Sequence, residues 1–483
     1  MGLVCHLRVT SWRPEPDTPG QAGGGGESAC RRGTVRGSFA TWVSAENWPL
    51  TLDFTSHQFV TFCTARRLTG SRRACLLALA AVVFGIPTAV IRGGATGAAT
   101  TTTTIPLPSS TLYCLEDPCY SPQQIQVAYG IQPLLERGID GRGETVTAVV
   151  PVPVPSQGPS DIRQDLAAFD SMFHLPAARI EVVTSLVPSA SRWQATGEEL
   201  GDLEAVHAVA PAATLRVVLF PASWDNSPAN ATADMLAALL LVVSHTDVAS
   251  ISWGLGAHYF TPAQVAKMHS ILLGAEAHHV TVVASSGDDG VYPTPRGWGG
   301  RQVEEVSLPV SDPLVLGVGG TQLSANPKTG AYIGETAWSD SGGGFSHLYV
   351  RPAYQDGVPG ISKSRGVPDV AADADAPGGL AQVYTSKGTA YLVSESGTSG
   401  STPLWAGIMA LADEYAHKDL GFVNPAIYDI GRSSSYHKAF HDITTGFNGY
   451  QATPGWDPVT GWGSPNAHVL IPLLARFASS SNT

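Results

Sequence analysis

Cationic side chains are scarce in this 483-residue chain, which has 28 Lys and Arg residues against 40 Asp and Glu residues. Nucleic-acid binding depends on clusters of cations that neutralise phosphates, so the deficit excludes DNA and RNA as expected partners. Residues 1–113 carry a net charge of +5, and the rest of the chain carries −17. The negative charge of residues 114–483 is compatible with activity in an acidic medium, where protonation neutralises carboxylates. It is equally compatible with a secreted protein whose negative charge only keeps it soluble.

Cysteine is also rare, with six residues in the whole chain. This number is small for a disulfide scaffold, and the cysteines lack the neighbouring ligands that a zinc site needs. Four of them precede the expected mature protein. The other two, Cys114 and Cys119, are predicted to form a disulfide in an oxidising compartment, with free thiols as the alternative.

Long hydrophobic segments are absent apart from Ala74–Val90, which is short for a membrane-spanning helix and is interrupted by glycine and proline. Arginines precede this run and small residues follow it, an order that is typical of an export signal. We therefore assign residues 64–94 to an export signal and expect a secreted, extracellular protein without stable membrane association. An uncleaved membrane anchor is the alternative.

The chain outside the export signal divides into irregular segments and one regular body. Residues 1–63 are rich in Gly and Pro without periodicity and predict an unstructured extension, as a misplaced start site would produce. Residues 95–112 predict a Thr-rich linker, and residues 475–483 predict a tail. Residues 113–474 form the expected folded domain.

Within this domain, apolar strand-like runs alternate with helix-like stretches. The strand-like runs are Thr145–Val150, Leu215–Phe220, Val248–Ser252, Val280–Ala284 and Leu314–Val318, and the helical ones are Asp161–Met172, Glu198–Val209, Ala231–Val243, Pro262–His278 and Ser399–Tyr415. The alternation predicts an α/β fold with a mostly parallel sheet covered by helices on both faces. Catalytic groups on such sheets collect where strands end and the next helices start.

The most specific motif is Ser396-Gly-Thr-Ser-Gly-Ser-Thr-Pro403, which opens an apolar helical stretch. Its Thr and Ser side chains are expected to cap the helix, and Pro403 is expected in the first turn. Ser399 then lies at the positive end of the helix, where developing negative charge is favoured. The motif resembles the nucleophile segment of serine peptidases with the subtilisin fold. A neutral Ser-His-Asp subtilase is nevertheless excluded, because none of the fourteen histidines is followed by Gly-Thr.

A carboxyl pair offers the missing base. Glu198 and Asp202 are four residues apart in a predicted helix, so they share one face and can share a proton. Taken alone, these acids would be explained by the helix dipole. Together with the Ser399 motif and the Ala-Pro that ends the helix, they resemble the sedolisin family of serine-carboxyl peptidases. The resemblance implies that Glu198 is the general base and that Asp202 orients it.

The same resemblance assigns an oxyanion role to Asp288, in a Ser-Gly-Asp-Asp-Gly segment that follows a predicted strand. An aspartate can donate a hydrogen bond to an oxyanion only when it is protonated. Turn chemistry is the alternative explanation of this segment.

Two further segments resemble parts of the family that contact substrate. They contain the candidate substrate-binding residues Ser252, Trp253, Gly254, Gly343 and Gly344. Glycines let two backbones approach closely, as strand pairing with a peptide substrate requires.

The resemblance also implies one structural calcium ion near the C-terminus. Asp442 and Asp457 would supply carboxylates, and Ile443, Thr453 and Gly455 would supply backbone carbonyls. Calcium prefers such mixed oxygen ligands, whereas ordinary surface turns are the alternative reading of these aspartates.

The sequence therefore predicts a subtilisin-like α/β domain in a secreted, acid-acting serine-carboxyl endopeptidase that cleaves protein or peptide substrates through an acyl-enzyme on Ser399. A monomer is expected. A tripeptidyl exopeptidase and a non-cleaving relic that binds peptides or a surface partner are the alternatives. Residues 1–112 do not resemble the large folded propeptide that family members usually carry.

Overall fold

The chain falls into two units, residues 1–89 and 90–483. The structure is a computed structural model that describes residues 39–45, 48–54, 112–115, 117–152, 160–187, 194–195, 197–221, 228–243, 245–293, 303–375, 378–386 and 389–480. Among these residues, no helix has both the length and the apolar character that crossing a membrane requires.

In the first unit, the structure describes one antiparallel hairpin. It consists of β1 (Phe39–Ala45) and β2 (Trp48–Phe54), whose pairing runs from Phe39 opposite Phe54 to Ala45 opposite Trp48. This hairpin falls within the segment for which an unstructured extension is predicted, and the sequence patterns did not indicate it. The predicted export signal lies outside the described residues, as does the linker except for its last residue.

The second unit contains the catalytic candidates. Its strands are β3 (Leu112–Cys114), β4 (Asp117–Cys119), β5 (Thr145–Val152), β6 (Ser160–Asp161), β7 (Arg179–Val183), β8 (Gln194–Ala195), β9 (Thr214–Pro221), β10 (Val248–Ile251), β11 (Leu255–Gly256), β12 (Thr281–Ser285), β13 (Ser307–Leu308), β14 (Leu316–Ala325), β15 (Tyr332–Ala337), β16 (Gly344–Val350), β17 (Ser364–Val367), β18 (Val370–Asp373), β19 (Ala381–Ser386), β20 (Thr389–Ser394), β21 (Phe440–His441) and β22 (Ser464–Pro465). Its α-helices are α1 (Pro122–Ala128), α2 (Gln132–Leu135), α3 (Ile162–Phe173), α4 (Gly197–Val209), α5 (Pro228–Leu239), α6 (Pro262–Ala277), α7 (Thr398–Ala416), α8 (Asn424–Gly431), α9 (Tyr436–Ala439) and α10 (Ala467–Ser480).

The central sheet has the strand order β15-β14-β12-β10-β5-β9-β7, and β18 also pairs with β14. All of these pairs are parallel except β14 with β15. The predicted mostly parallel sheet is therefore confirmed. Parallel strands end at the same edge, so the loops after β10 and β12 lie side by side and bring distant parts of the chain together.

Both faces of the sheet are buried, because successive side chains of a strand point to opposite sides. In β5, Val146, Ala148 and Val150 join one hydrophobic cluster, whereas Val149 joins the other. The first cluster includes residues of α4, α7 and α10, and the second includes residues of α5 and α6. Helices thus cover the sheet on both sides, as the apolar runs predicted.

The predicted elements are present, but several end elsewhere. Strand β14 continues to Ala325, beyond the end predicted at Val318, because its second half pairs with β15 and β18. Helix α10 runs to Ser480 and so includes the first residues of the predicted tail. Cys114 and Cys119 form the predicted disulfide, which joins β3 to β4.

Candidate active site

Ser399 is the second residue of α7, and its side chain is partly exposed at the end of the sheet. Its hydroxyl donates to the carbonyl oxygen of Ser252, just after β10, over 3.3 Å. Helix α7 packs against β10, β12, β14 and β18, so the serine sits above the carboxyl ends of the central strands. A nucleophile at this place is exposed to substrate and lies at the positive end of the helix.

Pro403 lies inside α7 rather than in its first turn, so that sequence expectation is wrong. A proline has no N–H to donate to the carbonyl four residues earlier, which here belongs to Ser399. The hydroxyl of Ser252 donates to this carbonyl instead, over 3.3 Å. The proline thus leaves a backbone acceptor that ties the nucleophile segment to β10.

The start of α7 is capped by a residue from another element, not by the Thr and Ser of the motif. Asp288, in the loop after β12, accepts hydrogen bonds from the backbone N–H and the hydroxyl of Thr398, both at 2.7 Å on Oδ1. The preceding Gly397 has φ +86°, and a Cβ there would lie 2.7 Å from Asp288 Oδ2. Glycine is therefore required where the two segments meet.

The second oxygen of Asp288 is left for another partner. Among the described residues, no side chain or N–H bonds to Oδ2, and the side chain reaches solvent at the open end of the site. Protein atoms still surround this carboxyl closely, and burial raises its pKa, with the charge of Asp340 adding to the effect and the two Thr398 bonds opposing it. Oδ2 lies beside Gly397, two residues before Ser399 in the chain.

The predicted carboxyl pair is brought to the serine by the start of α4. Glu198 is hydrogen-bonded to Ser399. Asp202, one turn later, is almost fully buried, and its Oδ1 lies 2.5 Å from the Ser252 hydroxyl oxygen, in hydrogen-bond contact. Ser252 therefore contacts the predicted nucleophile and the predicted orienting acid at the same time.

The environment raises the pKa of both acids. Burial raises the pKa of Glu198 to about 7, although the Ser399 hydrogen bond lowers it and the charge of Asp288 raises it further. Burial, and then the charge of Glu198, holds the pKa of Asp202 well above its usual range. The groups repel one another when ionised, so their protons are shared across the set rather than lost independently.

Two neighbouring carboxyls differ in what the sequence revealed about them. Glu199, next to Glu198 in the chain, is fully buried, and its charge raises the pKa of Glu198. Glu395 was not selected, although it lies just before the nucleophile motif and its charge interacts with those of Glu198 and Asp288. An acid in the strand-like segment leading into the motif was the signal that could have found it.

The predicted substrate-binding residues separate into two groups. Ser252 joins the catalytic candidates, while Trp253 is buried with its ring 5.4 Å from that of Phe220. A Cβ on Gly254 would lie 3.0 Å from the Leu308 carbonyl oxygen, so this glycine serves a close approach to β13. Gly343 and Gly344 instead line a cavity of about 420 Å³.

That cavity is polar and partly acidic. Its other lining residues include Glu304, Glu305 and His347, but none of the four catalytic candidates. The chain just before its two glycines contacts the loop of Asp288, since the N–H of Gly342 donates to the Gly287 carbonyl over 2.7 Å. The glycine segment is thus linked to the candidate oxyanion residue through one backbone contact.

The five predicted calcium ligands lie in two loops that contact each other. The N–H of Gly455 donates to Asp442 over 3.0 Å, and the N–H of Thr453 donates to Asp457 over 2.9 Å. Ile443 is buried beside them. Asp457 is almost fully buried, and desolvation raises its pKa to about 6.

The donor set at these loops fits a hard cation. No salt bridge among the described residues includes Asp442 or Asp457, although both charges act on Tyr436. Two carboxylates that share a neighbourhood without a cation would be stabilised by an ion with oxygen ligands. A different trio, Glu144, Asp247 and Asp419, has one carboxylate oxygen from each within 4.8 Å and could also hold a metal ion.

The fold and the site define an α/β protein with a mostly parallel sheet, in which a candidate serine nucleophile is flanked by carboxyl groups. Residues 194–438 match the Subtilase family. Kumamolisin from Bacillus sp. (strain MN-32) is 32% identical over an alignment of 395 residues, and the match covers 75% of this chain and 65% of kumamolisin. Tripeptidyl-peptidase 1 from Homo sapiens is 31% identical over an alignment of 256 residues, and the match covers 47% of this chain and 43% of that protein.

A solved structure extends the comparison to the whole domain. The structure of Pseudomonas sedolisin, a serine-carboxyl proteinase complexed with two molecules of pseudo-iodotyrostatin, superposes with a TM-score of 0.63 at 26% identity. The superposition covers 76% of this chain and 100% of the sedolisin chain. The chain belongs to the subtilase family and, within it, to the sedolisin family of serine-carboxyl peptidases, which are hydrolases. The predicted subtilisin-like fold is therefore confirmed. The chain spans less than two thirds of the length of kumamolisin and of tripeptidyl-peptidase 1.

Proposed function

We propose that this protein is a secreted, acid-acting serine-carboxyl endopeptidase that cleaves protein or peptide substrates. The observation that carries the proposal is the contact between Ser399 and Glu198 on the helix face that also presents Asp202. A free serine is a weak nucleophile and needs an adjacent base. Glu198 is the described carboxyl with a hydrogen bond to Ser399, and the Asp202–Ser252 contact orients the same cluster.

The reaction follows from these positions. Ser399 Oγ attacks the peptide carbonyl carbon as its proton passes to Glu198, and the carbonyl oxygen becomes an oxyanion. A protonated Asp288 Oδ2 and a backbone N–H at the start of α7 donate to that oxyanion. Glu198 then gives its proton to the leaving amine, which departs and leaves an acyl-enzyme. A water molecule repeats the sequence and releases the second product.

The protonation state required by this reaction is supported by the charges at the site. Glu198 must be ionised while Asp288 is protonated. A negative charge on either carboxyl raises the pKa of the other. After one proton has left the pair, the second proton is therefore held more tightly. Only the form with the charge on Glu198 is active, so activity requires a pH at which one proton remains in the pair. Burial raises the pKa of both carboxyls, to about 7 for Glu198, so the pair still holds a proton in a weakly acidic medium in which unperturbed carboxyls are ionised.

Secretion and the metal site rest on separate observations. The Cys114–Cys119 disulfide favours an oxidising, extracellular compartment. We propose that Asp442 and Asp457, with the carbonyls of Ile443, Thr453 and Gly455, hold one structural calcium ion, which would neutralise the two carboxylates.

We also propose that Ser252–Gly254 and Gly343–Gly344 bind the substrate and that the protein is a monomer.

The decisive experiment compares two adjacent glutamates. Ser399→Ala and Glu198→Gln should each lose nearly all hydrolysis of denatured protein between pH 3 and 7, while Glu199→Gln stays active because adjacent residues of a helix do not share a face. Thermal melting verifies that each variant is folded. Activity in folded Ser399→Ala equal to that of the wild type would refute the proposal.

A tripeptidyl exopeptidase is the second candidate, favoured by the 31% identity to tripeptidyl-peptidase 1. An N-acetylated peptide and its free-amine counterpart separate the two activities. Endopeptidase action should cleave both peptides at internal bonds. Release of tripeptides from the free-amine peptide alone would favour the exopeptidase.

A further inference from the structure

Glu395 lies between β20 and the start of α7, four residues before the nucleophile. Its backbone N–H donates to the Leu380 carbonyl over 2.8 Å, so the segment is tied to the chain before β19. The side chain extends from there into the space between α4 and α7. None of the reaction steps above uses it.

Two glycines make room for this side chain. A Cβ on Gly201 would lie 2.2 Å from Glu395 Oε2, and a Cβ on Gly400 would lie 2.9 Å from its Cγ. Gly201 adjoins Asp202, and Gly400 adjoins Ser399. Any larger residue at either position would displace the glutamate, which shows that its carboxyl is closely packed against both catalytic helices.

The carboxyl lies on the catalytic face of α4. Residues three and four apart on a helix are neighbours, so Glu198, Gly201 and Asp202 share one side. Since Glu395 Oε2 lies against Gly201, the glutamate is placed beside the proposed base and its orienting acid.

The charged groups that face Glu395 are all acids. Glu198, Asp202 and Glu204 of α4 interact with its charge, and so does Asp288 from the loop after β12. Within the described part of the chain, no lysine, arginine or histidine pairs with it and no hydrogen bond reaches its carboxyl. Burial, and then the charges of Glu198 and Asp288, holds the pKa of Glu395 well above its usual range. Unpaired charge in such a place is costly, so these carboxyls share the available protons.

We propose that Glu395 is a positioning residue of the active site, which shares protons with Glu198, Asp202 and Asp288 and thereby sets the pH range of activity. This inference rests on the proposed function. A negative charge on Glu395 makes its neighbours bind protons more tightly. Because its own pKa is raised, Glu395 carries this charge toward the alkaline side of the activity range. Removing the charge lets Asp288 ionise at lower pH, so the alkaline limb of the activity profile moves to lower pH.

Glu395→Gln tests this idea because it keeps the size of the side chain and removes the titrating group. The alkaline limb of the kcat/KM profile should shift to lower pH by about 0.5 to 1 unit, the scale expected for one neighbouring charge, while the acidic limb stays in place. Glu395→Asp keeps a titrating carboxyl and should restore the wild-type limbs, even at a reduced rate. Glu136→Gln, at an exposed position after α2, removes the same charge and should leave the profile unchanged.

A purely structural role would change the rate or the melting temperature without moving the limbs. Glu395→Met is neutral, has a side chain of similar length and should show the same shift. This variant replaces Glu395→Gln in the experiment if the glutamine variant does not fold. An unmoved alkaline limb in a folded neutral variant would overturn the inference while leaving the proposed function intact. An active Ser399→Ala variant would instead refute the proposed function itself.

Discussion

Raising the pH from about 4.5 to 7.5 should destabilise the folded protein, because several buried carboxyls hold protons that the unfolded chain releases. Glu198, Asp202, Glu204 and Glu395 all have a raised pKa in the folded state. Between the unfolded and folded pKa values, the folded protein binds more protons than the unfolded chain. The free energy of unfolding therefore falls as the pH rises through this range.

The contribution of Glu198 can be estimated from its pKa, which rises from 4.5 to about 7. At about 1.4 kcal/mol for each pH unit, full transmission of that shift would destabilise the protein by about 3 kcal/mol above pH 7. The side chain is partly exposed, so solvent screening reduces the figure to roughly 1–2 kcal/mol. The three other acids act in the same direction.

Guanidinium unfolding of Ser399→Ala at pH 4.5, 6.0 and 7.5, with calcium held constant, measures this effect without self-digestion. The free energy of unfolding should decrease at each step. Adding Glu198→Gln should flatten the decrease by about 1–2 kcal/mol, since an amide does not titrate. Stability that increases over this range, or a decrease that Glu198→Gln leaves unchanged, would show that the reasoning is wrong.

The remaining predictions concern the other members of the site. Asp202→Asn should reduce kcat at least tenfold, because the amide cannot share the proton of Glu198, and adding this change to Ser399→Ala should scarcely deepen the loss that Ser399→Ala causes alone. Asp288→Asn should keep measurable activity and extend it toward neutral pH, since an amide donates a hydrogen bond at any pH. Asp288→Ala should instead reduce the activity about a hundredfold. An unmoved alkaline limb in the asparagine variant would exclude Asp288 from the oxyanion role. Chelation should lower the melting temperature. Asp457→Ala should lower it as well and abolish the sensitivity to chelator, and a wild-type melting curve that chelation leaves unchanged would exclude the calcium site.

The sequence alone determined the features that depend on local chemistry. Apolar β-rich runs at regular intervals predicted β5, β9, β10, β12 and β14, because a strand buried on both faces must be apolar throughout. The four-residue spacing of Glu198 and Asp202 placed them on one helix face, since helical geometry alone decides which side chains are neighbours. The cysteine pair predicted its own disulfide because the two cysteines are only five positions apart.

Tertiary structure decided what depends on residues far apart in the chain. The motif around Ser399 predicted a self-capped helix, but the cap is Asp288, about a hundred residues earlier in sequence and adjacent only because parallel strands end at the same edge. The same arrangement gives the Ser399 carbonyl, left free by Pro403, a partner in Ser252. The position of Glu395 just before the motif was only a weak signal, because the significance of this residue comes from packing against Gly201 of another helix. Local spacing specifies which residues share a face of one helix, whereas only the folded sheet specifies which helices and loops meet.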